Sequence, residues 1–407
     1  MMIKIVHFSD LHLGVENYGH INPVTGLHTR LEDFLRAFDA VVEYALDKDV
    51  DLILFTGDAY KSRDPNPTHQ REFAKRIQRL STAGIPVVLL VGNHDVPSTA
   101  GRANTVDIFA TLEVEHVYVA RTADTRRIET ASGPIQIVTL PWIVRSHILT
   151  RDEHRNRTLQ EVNLAIIERV ENILNQQVEK LDPNIPAVLA AHVSVQGAVF
   201  GSEASVMLGQ DVVLPPSMVN NPAFDYVALG HLHRHQVINE AQPLVVYAGS
   251  IERIDFGEER EQKGFVVVHL ERGQAKYEFI TTPTRPFVTI EAHARSEDPT
   301  TEVLEAIRAK PIENAIVRLI IHLSVEKEPS LRENDVRRAL TPAHHIAAII
   351  KDVRRPVRLR LGSGGTVEEM TTLELLRRYF EAKQVDPERC KELLSYAAEI
   401  LADEDTM

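Results

Sequence analysis

The sequence predicts a layered α/β domain, followed by a small α+β domain and a C-terminal pair of helices. Two observations predict the first part. Short runs rich in Val, Ile and Leu show no polar alternation, which is typical of strands buried on both faces. Between these runs lie apolar stripes with the 3.6-residue period of amphipathic helices. Strands that alternate with helices are typical of layered α/β folds.

The α/β domain is predicted to span residues 1–285. Two helical stripes stand out within it, at 31–45 and 159–174. Proline residues at positions 283 and 286 mark its end. Five buried strands and two later strands are expected at 3–8, 52–55, 87–91, 187–190, 226–229, 244–247 and 265–270.

Residues 286–361 are predicted to form the small α+β domain, which has an ordinary size. Its helix is expected to begin after Asp298, because Asp caps helices well and Pro299 fits the first helical position. Its strands are expected at 287–290, 316–323 and 357–361.

The C-terminal segment, residues 362–407, begins with a Gly-Ser-Gly-Gly linker and continues as two helices. Thr371 and Glu374 have capping-box spacing at the start of the first helix, and Asp386-Pro387 begins the second. A helical pair on a flexible linker has little core of its own. Its apolar face packs either on the main body or on a partner protein, and the sequence leaves both interpretations open.

Composition and charge exclude several classes of protein. With 43% hydrophobic and 25% charged residues, the chain resembles an ordinary globular protein and not a disordered or fibrous one. A single cysteine, Cys390, excludes a disulfide framework and a thiolate zinc site. No signal peptide or apolar run of roughly 20 residues is evident, so we expect a cytoplasmic protein without a membrane span. The net charge of −13 disfavours nucleic acid when taken alone, but bound metal ions would offset it locally.

The residues that carry chemistry directly follow the five buried strands. Because the carboxyl ends of the strands in an open α/β sheet lie at one edge, we expect these side chains to converge. Carboxylates, imidazoles and an amide without thiolates suit Mn, Fe or Zn in a non-structural site. The residues are Asp10, His12, Asp58, Asn93, His94, Asp95, His192, His231 and His233.

The number of donors predicts two metal ions bridged by Asp58. Two such ions leave positions open for water and phosphate oxygens and neutralise charge during phosphoryl transfer, so we predict a two-metal phosphoesterase. Glycines that precede Asp58, Asn93 and His231 allow tight turns at the site. The remaining predicted ligands are Asp10, His12 and His233 for one ion, and Asn93, His192 and His231 for the other.

His94 follows a predicted ligand but is assigned to catalysis. It would contact the scissile phosphate and protonate the leaving oxygen as a general acid. Asp95 would orient the His94 ring. His7 lies inside the first predicted strand, and we interpret it as a core residue.

Three cationic residues are candidate DNA contacts. Arg30 could reach the site from the glycine-containing loop before it, and Arg102 follows Asn93 closely enough to line it. Lys61 could meet a phosphate, although a solvated side chain is the favoured interpretation. Arginines between positions 354 and 360 could form a further strip along the DNA backbone. For Arg30, Arg102 and this strip, a solvated surface charge is an equally good interpretation.

The motif order resembles that of the calcineurin-like metallophosphoesterase superfamily, which runs D-x-H, GD, GNHD, H and GHxH. These motifs begin here at Asp10, Gly57 and Gly92, and continue at His192 and Gly230. Within the superfamily, the chain is similar to the SbcD branch of DNA repair nuclease subunits, chiefly at positions 9–14, 226–233 and 249–258. The resemblance covers about the first 285 residues well. Relatives often carry His or Asp where Lys61 stands, so a catalytic role for that position is not expected here.

The resemblance implies a layered metallophosphoesterase sandwich and a manganese-dependent DNA nuclease of double-strand break repair. It implies exonuclease action on duplex ends and endonuclease action on single strands or hairpins. It also implies that residues 286–361 form a capping, DNA-binding domain and that the chain is a homodimer. The C-terminal helices would dock on the coiled coil of an SbcC-type, SMC-like ATPase.

Two alternatives remain. A phosphoprotein phosphatase or a nucleotide phosphodiesterase could use the same scaffold. The phosphatases usually continue GD with V-D-R-G, whereas Ala59-Tyr60-Lys61-Ser62 follows here. The second alternative is a non-enzymatic scaffold for a repair ATPase, and the presence of every predicted ligand argues against it.

Overall fold

A computed structural model of the chain describes residues 2–97, 102–148, 158–201, 211–354 and 371–404. Its strands are, in chain order, β1 (Ile3–Phe8), β2 (Leu52–Phe55), β3 (Val87–Leu90), β4 (Val117–Ala120), β5 (Asp124–Thr130), β6 (Gly133–Leu140), β7 (Ala187–His192), β8 (Ser194–Val195), β9 (Val213–Leu214), β10 (Tyr226–Gly230), β11 (Gln236–Asn239), β12 (Leu244–Tyr247), β13 (Gly264–Glu271), β14 (Gln274–Thr281), β15 (Phe287–Ala294), β16 (Ile316–Ser324) and β17 (His345–Arg354).

The helices of the described residues lie mainly between these strands. They are α1 (Thr29–Asp47), α2 (Pro67–Thr82), α3 (Asp107–Thr111), α4 (Arg145–Ile148), α5 (Leu159–Val178), α6 (Pro216–Val219), α7 (Pro299–Arg308), α8 (Glu333–Ala339), α9 (Thr372–Ala382) and α10 (Pro387–Glu404). Two short 3-10 helices lie at Phe256–Glu258 and Glu328–Ser330.

The main body is a sandwich of two six-stranded sheets, which confirms the predicted layered α/β fold. Their strand orders are β14-β13-β1-β2-β3-β4 and β11-β12-β10-β7-β6-β5. The central neighbours pair in parallel, whereas β13, β14, β5 and β11 pair antiparallel towards the edges. The five predicted buried strands thus divide between the two sheets, and the carboxyl ends of both sets contribute to one site.

Three apolar layers hold the sandwich together. Ile5 and Leu54 of the first sheet meet Val188 and Val246 of the second in the layer between the sheets. Helices α1 and α2 cover the outer face of the first sheet. Helix α5 covers the outer face of the second. Because each central strand is covered on both sides, its residues are apolar without alternation, as the sequence predicted.

The small domain is a parallel sheet in the order β15-β16-β17. Its strands alternate with α7 and α8, so the segment is built as βαβαβ. Asp298 caps α7 by accepting from the backbone N–H of Thr300, as predicted. The strand predicted at 357–361 lies outside the described residues. The third strand of the described sheet, β17, was not predicted. The sequence did not reveal β17 because its described side chains are mostly half-buried at the sheet edge.

Helices α9 and α10 form the predicted C-terminal pair. The hydroxyl of Thr371 accepts from the backbone N–H of Glu374 at 3.3 Å. The Glu374 carboxylate in turn accepts from the backbone N–H of Thr371 at 3.3 Å. None of the side chains described in this pair is buried. Across the part of the chain that the structure describes, no helix is long and apolar enough to cross a membrane.

Candidate metal centre

The loops that carry the predicted site residues have unusual backbone conformations. Asp10, His12, Asp58 and His231 have φ values of 53°, 45°, 62° and 100°, in the left-handed region that L-residues seldom adopt. Such strain collects at functional sites, where surrounding contacts enforce it. Here the backbone N–H of His12 donates to the carbonyl of Asp58 at 3.0 Å, which ties two strand ends together.

Glycines make this close approach possible. A Cβ atom on Gly92 would overlap the carboxylate of Asp58. Gly57 has φ of 105°, and a Cβ atom there would lie 2.5 Å from Nδ1 of His192. The glycines predicted to form tight turns therefore let neighbouring strand ends touch.

One cluster of donor atoms contains Asp10, His12 and His233. The Nε2 atoms of His12 and His233 lie 3.1 Å apart. Nε2 of His12 is 3.9 Å from Oδ1 of Asp10. The Asp10 carboxylate also accepts from the backbone N–H of His231, at 3.2 and 3.1 Å for its two oxygens.

A second cluster contains Asn93, His192 and His231. Oδ1 of Asn93 lies 2.9 Å from Nε2 of His192 and 3.0 Å from Nδ1 of His231. Nδ1 of His192 donates to the carbonyl of Thr56 at 2.6 Å, so Nε2 is the ring atom that faces the cluster.

Asp58 lies between the two clusters. Its Oδ2 atom is 3.5 Å from Nε2 of His12 and 3.5 Å from Nε2 of His192. Its Oδ1 atom accepts the backbone N–H of His94 at 2.8 Å. The structure therefore brings all seven predicted ligands into two neighbouring groups, with the carboxylate of Asp58 shared.

Distances and charge both fit divalent cations. Ligands at right angles on an ion with bonds of about 2.1 Å lie about 3 Å apart, close to the spacing within each cluster. Burial alone would lower the pKa of His192, but the Asp58 carboxylate raises that pKa to about 9. Burial alone would raise the pKa of Asp58, whereas His192 holds it below its ordinary range. The site therefore stabilises positive charge, and its Asp and His groups are able to bind metal.

Two carboxylates that were not predicted from the sequence to act at this site orient histidines of these clusters. Oε1 of Glu258 lies 2.9 Å from Nδ1 of His233. Oδ2 of Asp211 lies 3.4 Å from Nε2 of His231. Carboxylates in this position fix the imidazole tautomer of metal-binding histidines. Glu258 belongs to the 249–258 segment noted in the sequence, whereas Asp211 had no motif to reveal it.

Comparison with known proteins agrees with this geometry. Residues 3–235 match the model of the calcineurin-like phosphoesterase family. The chain belongs to this family.

Several curated proteins are similar to this phosphoesterase. It is 30% identical over 329 residues to the DNA double-strand break repair protein Mre11 of Haloferax volcanii, covering 80% of this chain and 62% of that protein. It is 26% identical over 318 residues to the protein of the same name from Archaeoglobus fulgidus, covering 74% and 63%. It is 25% identical over 333 residues to the D component of the nuclease SbcCD from Staphylococcus saprophyticus, covering 81% of each. The chain thus spans less than two thirds of the length of the two Mre11 relatives.

His94 of this phosphoesterase is oriented differently from the prediction. Its Nδ1 atom lies 2.8 Å from the backbone carbonyl of Lys61, and its ring packs against His12 with centroids 4.9 Å apart. The prediction that Asp95 orients the ring is wrong. The buried Asp95 carboxylate instead accepts the backbone N–H groups of Asp58 and Gly92, at 2.8 and 2.9 Å. Asp95 therefore shapes the loops that hold the site.

The structure places the three predicted DNA contacts in different environments. Arg30 is fully buried, where it pairs with Asp33 at 2.8 Å and donates to the carbonyl of Arg253. The prediction that Arg30 contacts DNA is therefore corrected, because its guanidinium is committed to the interior. Lys61 and Arg102 have exposed side chains. The arginines at 355, 358 and 360 lie outside the described residues.

Two further aromatic side chains lie near the metal centre. Buried His7 contacts the hydroxyl of Tyr226 at 2.8 Å and that of Thr56 at 3.1 Å, which is the satisfied core position that the sequence indicated. Trp142, which the sequence did not single out, lies with its ring centroid 4.8 Å from that of His231. It forms an apolar wall beside the second cluster.

Proposed function

We propose that this phosphoesterase is a two-metal DNA nuclease of double-strand break repair, with exonuclease action on duplex ends and endonuclease action on single strands or hairpins. The observation that carries the proposal is the position of Asp58, whose Oδ2 atom is 3.5 Å from a histidine of each donor cluster. DNA as the substrate is supported by relatives named as a double-strand break repair protein and as part of a nuclease.

The two clusters would each hold one divalent cation, for which we propose Mn²⁺. Nitrogen and oxygen donors without thiolates suit this ion. When bound, the two ions would supply positive charge to the phosphate oxygens and lower the pKa of the attacking water. The proposed ligands are Asp10, His12 and His233 for one ion, Asn93, His192 and His231 for the other, and Asp58 for both.

His94 is the proposed general acid. Its Nδ1–H is directed at the Lys61 carbonyl, which fixes the orientation of the ring. The imidazolium can donate its Nε2 proton to the leaving oxygen and so avoid the cost of expelling an alkoxide. The backbone carbonyl of Lys61 therefore positions His94, and the exposed Lys61 side chain takes no part in this contact.

The remaining segments would serve substrate and partner binding. We propose that residues 286–361 cap the site and contact DNA, and that the chain acts as a homodimer. Residues 362–407 would bind an SbcC-type, SMC-like ATPase, a partnership supported by the relatives that are named as components of the nuclease SbcCD. Tyr379 and Tyr396 in α9 and α10 are 46% and 56% exposed, which suits apolar docking on a partner.

The test is Mn²⁺-dependent cleavage of an end-labelled duplex that carries a hairpin. The wild type should cut it, whereas Asp58→Ala and His94→Asn should not. Retained hydrolysis of a small phosphodiester without DNA cutting would overturn the choice of DNA and favour nucleotides as substrates. No hydrolysis of either substrate at any metal concentration would favour the non-enzymatic scaffold.

A further inference from the structure

Among the described residues, helices α7 and α8 cover one face of the small domain's sheet. Ile290 of β15 and Leu319 of β16 belong to the apolar core that includes Val303 of α7 and Val336 of α8. The alternating residues of the same strands point to the other face. At one end of that face Phe287 packs against Phe256 and Arg318 lies over the Phe256 ring, whereas Glu291 and His293 at the other end are exposed.

Three side chains of types that can bind metal lie near one another at the exposed end of this face. His293 of β15 and His322 of β16 are direct neighbours in the parallel register. Their rings stack with centroids 4.6 Å apart and planes inclined by 15°. Glu291 lies two residues before His293 and therefore on the same face. One ligand atom from each of these three residues lies within 4.8 Å of the other two.

The third strand orients one of the two imidazoles. Oδ2 of Asp352, the register partner of His322 in β17, lies 2.8 Å from Nδ1 of His322. This contact fixes the tautomer in which Nε2 keeps its lone pair for a ligand bond. The same arrangement occurs in the metal centre, where Glu258 holds Nδ1 of His233. A surface histidine that was only solvated would not need this orientation.

We propose that Glu291, His293 and His322 form a separate site for a transition cation such as Zn²⁺, with Asp352 orienting His322. Two imidazoles and one carboxylate, with water as the fourth ligand, suit Zn²⁺. Tetrahedral ligands on bonds of about 2.1 Å lie about 3.4 Å apart. A small rotation of the exposed Glu291 and His293 side chains would bring the three ligand atoms to this spacing. The ion would tie β15 to β16 and so stabilise the small domain, as structural metals do in small folds.

This site shares no residue with the metal centre and does not depend on the proposed nuclease function. It can therefore be measured by metal content alone. The full-length protein is freed of metal by chelation and dialysed against Zn²⁺ at a micromolar free concentration. Bound zinc is then measured by mass spectrometry of the metal.

His322→Asn and His293→Asn should each bind one equivalent of zinc less than the wild type. The control is His116→Asn, which removes a partly exposed histidine 3.8 Å from Glu115 and should bind as the wild type does. Asp352→Asn keeps both imidazoles and should weaken binding of that one equivalent about 10-fold or more. This variant also tests the site if an imidazole variant folds poorly.

Equal zinc content in the wild type and His322→Asn would overturn the proposal, as would a loss of the same size in His116→Asn. Zinc should also raise the urea midpoint of the wild type more than that of His293→Asn. An equal rise in both would place the stabilising ion elsewhere.

Discussion

Glu258 and His233 are joined by a hydrogen bond of 2.9 Å between Oε1 and Nδ1. The carboxylate is only 1% exposed, and its other oxygen lies 3.0 Å from Nζ of Lys263. Burial alone would raise the pKa of Glu258, but Lys263 and then His233 lower that pKa to about 2. Glu258 is therefore ionised at neutral pH and holds the His233 ring with Nε2 towards His12. The 249–258 segment thus acts on the metal centre without supplying a predicted ligand.

Glu258→Gln should weaken Mn²⁺ binding by about 10-fold or more, because the charge that fixes the His233 ring is removed. Calorimetric titration of the metal-free protein would measure this. The matched control is Glu261→Gln. Glu261 also pairs with Lys263, at 2.7 Å, but the carboxylate that holds Nδ1 of His233 is that of Glu258. Equal weakening in both variants would show that Lys263, and not His233, transmits the effect.

His94→Asn should leave the metal content intact and lower the cleavage rate by about 10²–10⁴-fold, the usual contribution of a positioned general acid. The metal content should be kept because Nδ1 of His94 is engaged by the Lys61 carbonyl and His94 is not one of the seven proposed ligands, although its ring lies next to His12 and Asp58. Metal analysis and single-turnover cleavage would be measured on the same preparation. His12→Asn provides the contrast, since it should lose both metal and cleavage. Equal loss of metal in His94→Asn would remove the assignment to proton transfer.

Removal of residues 366–407 should spare cleavage of simple substrates and abolish capture of the ATPase. The reason is that the predicted ligands all precede this segment, and the described side chains of α9 and α10 are not buried in a core. The measurement is a pull-down with the SbcC-type protein, alongside cleavage of a short hairpin. Capture by the truncated chain would place the docking surface on another part of the molecule.

Glu252 should make the stability depend on pH. It is fully buried, and burial raises its pKa to about 7, although Arg30 nearby opposes this. The unfolded chain would release this proton near pH 4.3, so the folded state binds the extra proton between about pH 4.3 and about 7. The contribution of Glu252 to stability is complete below that range and is lost as the pH rises through it.

Glu252→Gln keeps the shape and removes this titration. Relative to the variant, the wild type should lose up to about 3 kcal/mol of unfolding free energy between pH 4.5 and pH 8, since one unit of pKa difference corresponds to about 1.4 kcal/mol. Urea denaturation at both pH values would measure it. Parallel pH dependences of the two proteins would contradict the raised pKa of Glu252.

The sequence by itself determined the layered fold and the convergence of the predicted ligands. Both depend on local rules. A run such as Leu52–Phe55, apolar on both faces, has few alternatives to a buried central strand. A residue such as Asp58, placed directly after that strand, must then lie at the carboxyl edge of its sheet. Likewise, the helix starts after Thr371 and Asp298 could be predicted, because a capping side chain bonds only to the backbone of the next three residues.

Only the tertiary structure decided the roles that depend on distant neighbours. Arg30 has the charge of a DNA contact, yet the packing of α1 against Arg253 buries its guanidinium. Asp95 lies beside His94 in the chain, but its carboxylate turns inward to the backbone of Asp58, 37 positions away. The reason is that a buried charge takes whichever partners the folded chain brings within hydrogen-bond distance, and sequence adjacency does not determine that set.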